Sequence, residues 1–484
     1  MAQRRGQYRF SDHFGLGKQQ AQLDFVDIPL DTDIGLYVDP YALSVSNDDW
    51  LRECGNIMVN FFDYFLGVIR SSDEAKAMAV IANLHEPNDT HLGLSRGRPS
   101  GRGWGGIQAR MLYETLRGSG AVRSGTLKDL TDIELLMPGI ASDKISDLAI
   151  NVLRGEFVAY TEEQCNVFGI ATEKINSGLY WNYDSKVWES RYANLPVYRE
   201  ERIVLVPKVA VRVRLIPDYQ KFYSNFVLNF LGAEHLSAND SLVTLLKNGD
   251  ARVYKKDLKN RYKLSKEFLY EFTVRHPEVL KAYKESIRNE GTPIRDDDIE
   301  VLQRVPRVAA TRPHKRLEDI PVGRDSADEY HNFILGALTE IFHPSLTHPK
   351  KEQPVDNGRK RIDIVYNNSS ETGFFSRIVQ MHKVLCPYVN VECKNYAEDP
   401  ENPELDQLSG RFSRKRGKFG ILVCRKINDA DRLLKRLQDV VNNTDGVIMV
   451  LDDSDISKLL ALKAENKNQE IDSYLDEKLK PILM

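Results

Sequence analysis

Two acidic residues and a lysine in the last third of the chain have the types and spacing for phosphodiester chemistry. Asp363 interrupts the apolar run RIDIVY (Arg361–Tyr366), and Glu392 and Lys394 interrupt YVNVECKNY (Tyr388–Tyr396). Side chains alternate along a strand, so Glu392 and Lys394 point to one face and Cys393 to the other. A carboxylate beside a sheet core is costly unless something pairs with it. A divalent cation between Asp363 and Glu392 would supply that pairing. Mg²⁺ or Mn²⁺ suits the part, because hard cations prefer oxygen ligands and keep several waters. Lys394 would then orient or help deprotonate one of those waters. The water attacks a phosphodiester in line while the ion stabilises the charge on the phosphate oxygens.

The surrounding pattern is one that places such residues. A helix is predicted over Ser326–Phe342, followed by strands at Arg361–Tyr366 and Tyr388–Tyr396 and a helix over Pro403–Arg416. Strand Phe419–Arg425, helix Asp429–Val441 and strand Gly446–Asp453 follow. Alternation of this kind predicts an α/β domain, a mixed sheet flanked by helices with parallel pairs where helices cross over. The step of 29 residues from Asp363 to Glu392 leaves room for an inserted hairpin or loop, NNSSETGFFSRIVQMHKVLC.

The order of these elements and residues, over roughly Asp325–Asp453, resembles the PD-(D/E)xK nuclease superfamily, the restriction-endonuclease-like fold. RIDIVY supplies the motif Asp, preceded here by Ile362 rather than Pro, and VECKN supplies the ExK. The resemblance implies catalytic roles for Asp363, Glu392 and Lys394. It implies supporting ones for Gln407 on the helix after ExK and for an acid on the first helix, where Glu329 is preferred to Glu340. It also implies Mg²⁺ or Mn²⁺ as cofactor, nucleic acid, most simply double-stranded DNA, as substrate, and a homodimer or larger assembly for cutting both strands. The layout is similar to bacterial restriction and antiphage defence nucleases that carry an N-terminal sensor, a partner subunit being one further expectation. An RNase, a nickase, an exonuclease or a non-catalytic nucleic-acid-binding scaffold of the same fold are the alternatives.

Arg411, Arg414, Lys415, Arg416, Lys418, Arg425 and Lys426 fall within sixteen residues with no acid among them. Close to the ExK, such a run can neutralise backbone phosphates; by itself it also fits a solvated surface. The glycine- and arginine-rich SRGRPSGRGWGGIQAR holds Arg96, Arg98, Arg102 and Trp104, a candidate loop for phosphate and base contact although no Walker pattern is present. Asp31, Asp33 and Asp39 read as turn residues rather than a metal site. His85, His91 and Cys165 lack the partners that a zinc or thiol site needs.

The whole chain is predicted as an α+β N-terminal sensor or recognition domain (1–194), a strand and mostly helical middle region with linker (195–323), and the nuclease domain (324–484). Within the first two, helices are expected over Asn56–Arg70 and Ala141–Ile170, and strands in Glu201–Leu215. The 67 basic and 70 acidic residues give a net charge of −3, so any nucleic-acid surface must be local. With 42% hydrophobic and 28% charged residues the 484-residue chain falls in the globular range rather than the disordered one. Five cysteines without a CxxC, no long apolar run and no apolar segment after the basic N-terminus predict a cytoplasmic protein.

Overall fold

The computed structural model describes residues 8–71, 73–93, 106–125, 127, 130–137, 140, 142–246, 250–288, 293–303, 317–355 and 360–484. Among them the apolar side chains gather into two packed cores. One runs from Phe10 to Ile299 and joins the N-terminal and middle regions. The other runs from Leu317 to Ile482 and also takes Val167.

The first region is built from helices and short strand pairs. Helix Asp49–Arg70 buries Phe61, Phe62, Phe65, Leu66 and Ile69 along one stripe, the period of an amphipathic helix. Its N-cap is Asp48, whose Oδ1 accepts from the Leu51 amide at 2.8 Å. The helix predicted over Ala141–Ile170 is two, Ser142–Val152 and Arg154–Phe168. Asn151 stands at the join and donates from Nδ2 to the carbonyls of His85 (2.6 Å) and Asp147 (2.7 Å), a side chain competing with the helical ladder. Strands expected in Glu201–Leu215 are mostly absent: only Glu201–Arg202 and Val211–Arg212 pair. Between them Ile203–Val206 is buried without forming a strand, Pro207 makes an isolated bridge to Phe25 and Lys208–Ala210 is a short 3-10 turn; the amides find scattered partners, Val204 bonding to the Asp89 carbonyl and Leu205 to Thr161 Oγ1. An apolar run dictates burial, whereas a strand also needs a continuous neighbour. The expected linker carries helix Asp296–Gln303. From Tyr219 to Gln303 the described residues are helical apart from the hairpin of Val243–Leu245 and Ala251–Val253 and the joining turns.

Asp147 faces acidic company. Burial first, then Asp143, Glu86 and Asp33, push its carboxyl up to about 7 against the pull of Lys144. The charged form therefore penalises the fold above about pH 4, fully above pH 7. Asp147→Asn is expected to stabilise the protein by about 1–2 kcal/mol at pH 8, allowing for solvent screening, and the gain should vanish by pH 4. Urea melts at both pH values check this; equal stability of the two proteins at pH 8 would refute it.

The C-terminal region is a mixed five-stranded sheet flanked by helices. Helix α1 (Ala327–Phe342) is followed by β1 (Leu346–Val355), β2 (Lys360–Asn368), α2 (Gly373–Gln380), β3 (Tyr388–Lys394), α3 (Asn402–Ser409), β4 (Phe419–Cys424), α4 (Ala430–Thr444), β5 (Val447–Asp452), α5 (Asp453–Ala464) and α6 (Asn468–Leu483). The spatial order is β1-β2-β3-β4-β5. β1–β2 and β2–β3 are antiparallel, and β3–β4 and β4–β5 parallel. Helices α3 and α4 make the crossovers that parallel pairing requires. The expected insert between β2 and β3 contains α2, whose Phe374, Phe375 and Ile378 are buried. The helix expected to reach Arg416 stops at Ser409. All five cysteines are buried and free. Among the described residues no helix is long and apolar enough to cross a membrane.

The two regions meet at Asp48. Its Oδ2 accepts from Thr347 Oγ1 (2.9 Å), Ser369 Oγ (2.7 Å) and Asn367 Nδ2 (3.2 Å), groups that flank the β1–β2 hairpin. Lys350 pairs with Glu163 at 2.7 Å beside it.

Candidate active site

Strand pairing brings the two carboxylates together. Ile364 pairs with Val391 and Val365 with Asn390, so the next step of the antiparallel ladder sets Asp363 opposite Glu392. Opposed residues share a face, and Lys394 joins them two positions on. Asp363 Oδ2 accepts the Cys393 amide at 2.9 Å, which ties its carboxylate to the neighbouring strand. Cys393 itself points into the opposite face and belongs to the core. The cluster sits at the carboxyl end of β3, where open α/β sheets place their ligands.

Helix α3 closes one side. Glu401 and Glu404 form a capping box, with Pro403 in the first turn, so the helix starts where the sequence dictates. Leu405 and Leu408 seat it on the sheet. Gly420 of β4 permits the close approach, since a Cβ there would lie 3.1 Å from the Leu408 side chain. Gln407 then reaches the carboxylate: its Nε2 donates to Glu392 Oε1, and its Oε1 accepts from Lys394 Nζ at 3.2 Å. Lys394 Nζ also donates to Glu392 Oε1 at 3.3 Å. Glu392, Lys394 and Gln407 therefore form one hydrogen-bonded unit, with Asp363 tied beside it through the Cys393 amide.

Arg411 completes it in an unexpected role. It lies just past α3, in the turn that follows Ser409, where its amide bonds to the Leu408 carbonyl at 3.1 Å. Its Nη1 donates to Glu392 Oε2, and the two side chains are only 5% and 1% exposed. Burial, then the charge of Asp363, push the Glu392 carboxyl above its ordinary range, against the lowering by Lys394 and Arg411.

The other basic residues divide. Arg414 and Lys415 are exposed. Arg416 Nε holds the Arg411 carbonyl at 2.9 Å, and Lys418 Nζ reaches Thr444 O and Asp445 at 3.3 and 3.4 Å. Arg425 is structural: it lies 5.0 Å from the Tyr330 ring centroid, pairs with Asp453 at 3.1 Å and donates to Ile320 O at 2.9 Å. Glu329 stands half-buried in the first turn of α1. From this turn His331 reaches the site strand, with Nε2 3.2 Å from the Cys393 carbonyl. Arg96, Arg98, Arg102 and Trp104 lie outside the described residues.

Asp39 caps helix Pro40–Val45 through the Tyr41 and Ala42 amides, and Asp31 pairs with Arg199 at 2.6 Å. Among the described residues no group of three or more His, Cys, Asp or Glu side chains comes together to hold a metal. A cation at Asp363 and Glu392 would have two carboxylates, a set that fits Mg²⁺, which is commonly held by one or two carboxylates with waters and substrate phosphates. The crowding of Glu392 by Asp363 is what a cation would relieve. A cleft of about 930 Å³ lies in the N-terminal region among Asp33, Tyr37, Glu134, Asp218 and Tyr219, remote in the fold from this sheet.

The family comparison reaches the other end of the chain. Residues 15–216 match a family described as a domain of unknown function, DUF8370. The transposon gamma-delta 80.3 kDa protein of Escherichia coli (strain K12) is 28% identical over 167 residues, 34% of this chain. The match spans 23% of that relative's length. No solved structure matches the chain significantly.

Proposed function

We propose that the chain is a metal-dependent nuclease of the PD-(D/E)xK type, an endonuclease acting on double-stranded DNA in restriction or antiphage defence. The observation that carries this reading is the joining of Asp363, Glu392, Lys394 and Gln407 on one face at the carboxyl end of β3. Asp363 and Glu392 would hold Mg²⁺ or Mn²⁺, which would supply Lewis-acid stabilisation of the phosphate and make a water more acidic. Lys394 spends two N–H groups on Glu392 and Gln407 and has a third for the attacking water. Gln407 fixes the ammonium in that position, and Glu329 supports the site from α1. Arg414 and Lys415 give the exposed charge that backbone phosphates meet. The relative's name ties it to a transposon, which favours DNA over RNA. Cutting both strands calls for two such sites, hence a homodimer or larger assembly in the cytoplasm, and the residues before the sheet choose the target or restrain cleavage.

Plasmid cleavage with Mg²⁺ or Mn²⁺, beside EDTA controls, tests the reading. Lys394→Ala is expected to lower the rate by about 100-fold or more, the size of a lost proton-transfer or water-positioning group. Metal-dependent cutting that survives undiminished in the variant would place the chemistry elsewhere. The pairing of Glu392 with Arg411 favours one second reading, a nucleic-acid-binding subunit that does not cut; DNA binding without cleavage under any metal would select it.

A further inference from the structure

Glu392 is the carboxylate the proposed reaction needs open, and it is the most engaged group of the site. Lys394 and Gln407 both donate to Oε1, whereas Arg411 alone takes Oε2. The grip of Arg411 is incomplete: Nη1 donates, but the buried Nε has no partner. A guanidinium binds a carboxylate or phosphate best through two parallel N–H groups, so this one has donors to spare. Its backbone is joined to the surface that would meet nucleic acid. Arg411 leads directly into a turn closed by the Ser413–Gly417 bridge, with Arg416 Nε on the Arg411 carbonyl and exposed Arg414 and Lys415 at the tip.

We propose that Arg411 is a stand-in cation that keeps the site closed: it neutralises Glu392 when no divalent ion is present, competes with that ion for Oε2, and turns to a phosphate when Arg414 and Lys415 engage a nucleic-acid backbone. This rests on the metal-dependent reading of Asp363 and Glu392. The competition links the two ligands, because whatever draws Arg411 away raises the affinity of the carboxylates for a cation, and the reverse holds equally. A nuclease built this way is idle without its substrate, and the restraint lies inside the site itself.

Calorimetric titration of the full-length protein with MnCl₂, without nucleic acid, tests it directly. Arg411→Met is expected to bind Mn²⁺ about tenfold more tightly than wild type, within the range common for coupled sites. Arg411→Lys should fall between them, since an ammonium is a point charge without the fork of a guanidinium. Asp363→Asn should abolish the binding heat. If a folded Arg411→Met binds Mn²⁺ no more tightly than wild type while Asp363→Asn still loses it, the stand-in role is overturned and the metal-dependent reading survives. If neither wild type nor Arg411→Met binds Mn²⁺, the reading falls and the proposal with it. Should Arg411→Met fail to fold, Arg411→Lys decides alone: tighter binding than wild type supports the proposal, and equal or weaker binding overturns it.

Discussion

Asp363→Asn should lose about 10³-fold or more in phosphodiester cleavage and yet melt at or slightly above the wild-type temperature. Removing a group that stabilises charge on a reacting phosphate commonly costs about 10²–10³-fold, and the loss of a metal-binding carboxylate stands at or beyond the upper end. The fold has reason to tolerate the change. An asparagine oxygen can still accept the Cys393 amide, now 2.9 Å from Asp363 Oδ2, and the like charge that helps push Glu392 upward disappears. Glu392→Gln should behave differently. It leaves Arg411 buried beside a neutral amide, and breaking one half of a buried pair costs about 3–5 kcal/mol. Cleavage rates and thermal melts of the two variants together check the site. A destabilised Asp363→Asn with normal cleavage would mean that Asp363 is structural.

The second large effect is on stability. Asp48→Ala is expected to cost about 4 kcal/mol, read from urea unfolding, because it removes a helix cap and strands donors from Thr347, Ser369 and Asn367 at a buried junction. Burial raises the Asp48 carboxyl, but His348, the Leu51 amide and the two hydroxyls more than offset this, and it ends below its ordinary value. A group that ionises more readily when folded adds stability that is complete above about pH 4 and is lost as pH falls through the folded value. Wild type should therefore lose stability faster than Asp48→Ala on acidification below pH 4. A loss under about 1 kcal/mol at neutral pH would show that water replaces the carboxylate at little cost.

The site was legible in the sequence where a charge broke an apolar run. Asp363, Glu392 and Lys394 are conspicuous because they are charges set inside apolar runs, and strand periodicity alone puts the last two on one face. The partner of Glu392 was not legible in the same way. Arg411 opens a run of seven basic residues, and in one dimension such a run reads as surface. Its nearness in sequence to Gln407 was the available signal, readable only once α3 was known to lie against the carboxylate. Strand β1 escapes for another reason: LTHPKKEQPV holds two prolines and two adjacent lysines, a composition tolerated because it forms the sheet's edge. Helix α2 is only eight residues and is set by Phe374, Phe375 and Ile378 packing on the core rather than by propensity. The buried segment Ile203–Val206 shows the converse, a strand-like composition without a strand beside it.

The chain order of the sheet also bears on its assembly. β2 and β3 precede α3 and β4 in the sequence, so the antiparallel β2–β3 contact can form before the segment that supplies the parallel partner has been made. During synthesis the two carboxylates can thus meet while Gln407 and Arg411 are still unplaced. The half-made sheet then holds a pair of like charges with Lys394 but without Arg411, and ordering of α3 and the turn after it removes that frustration. The step that completes the proposed site is also the one that quiets its electrostatics, so a partly folded chain has the two acids but not the arrangement that the proposed reaction needs.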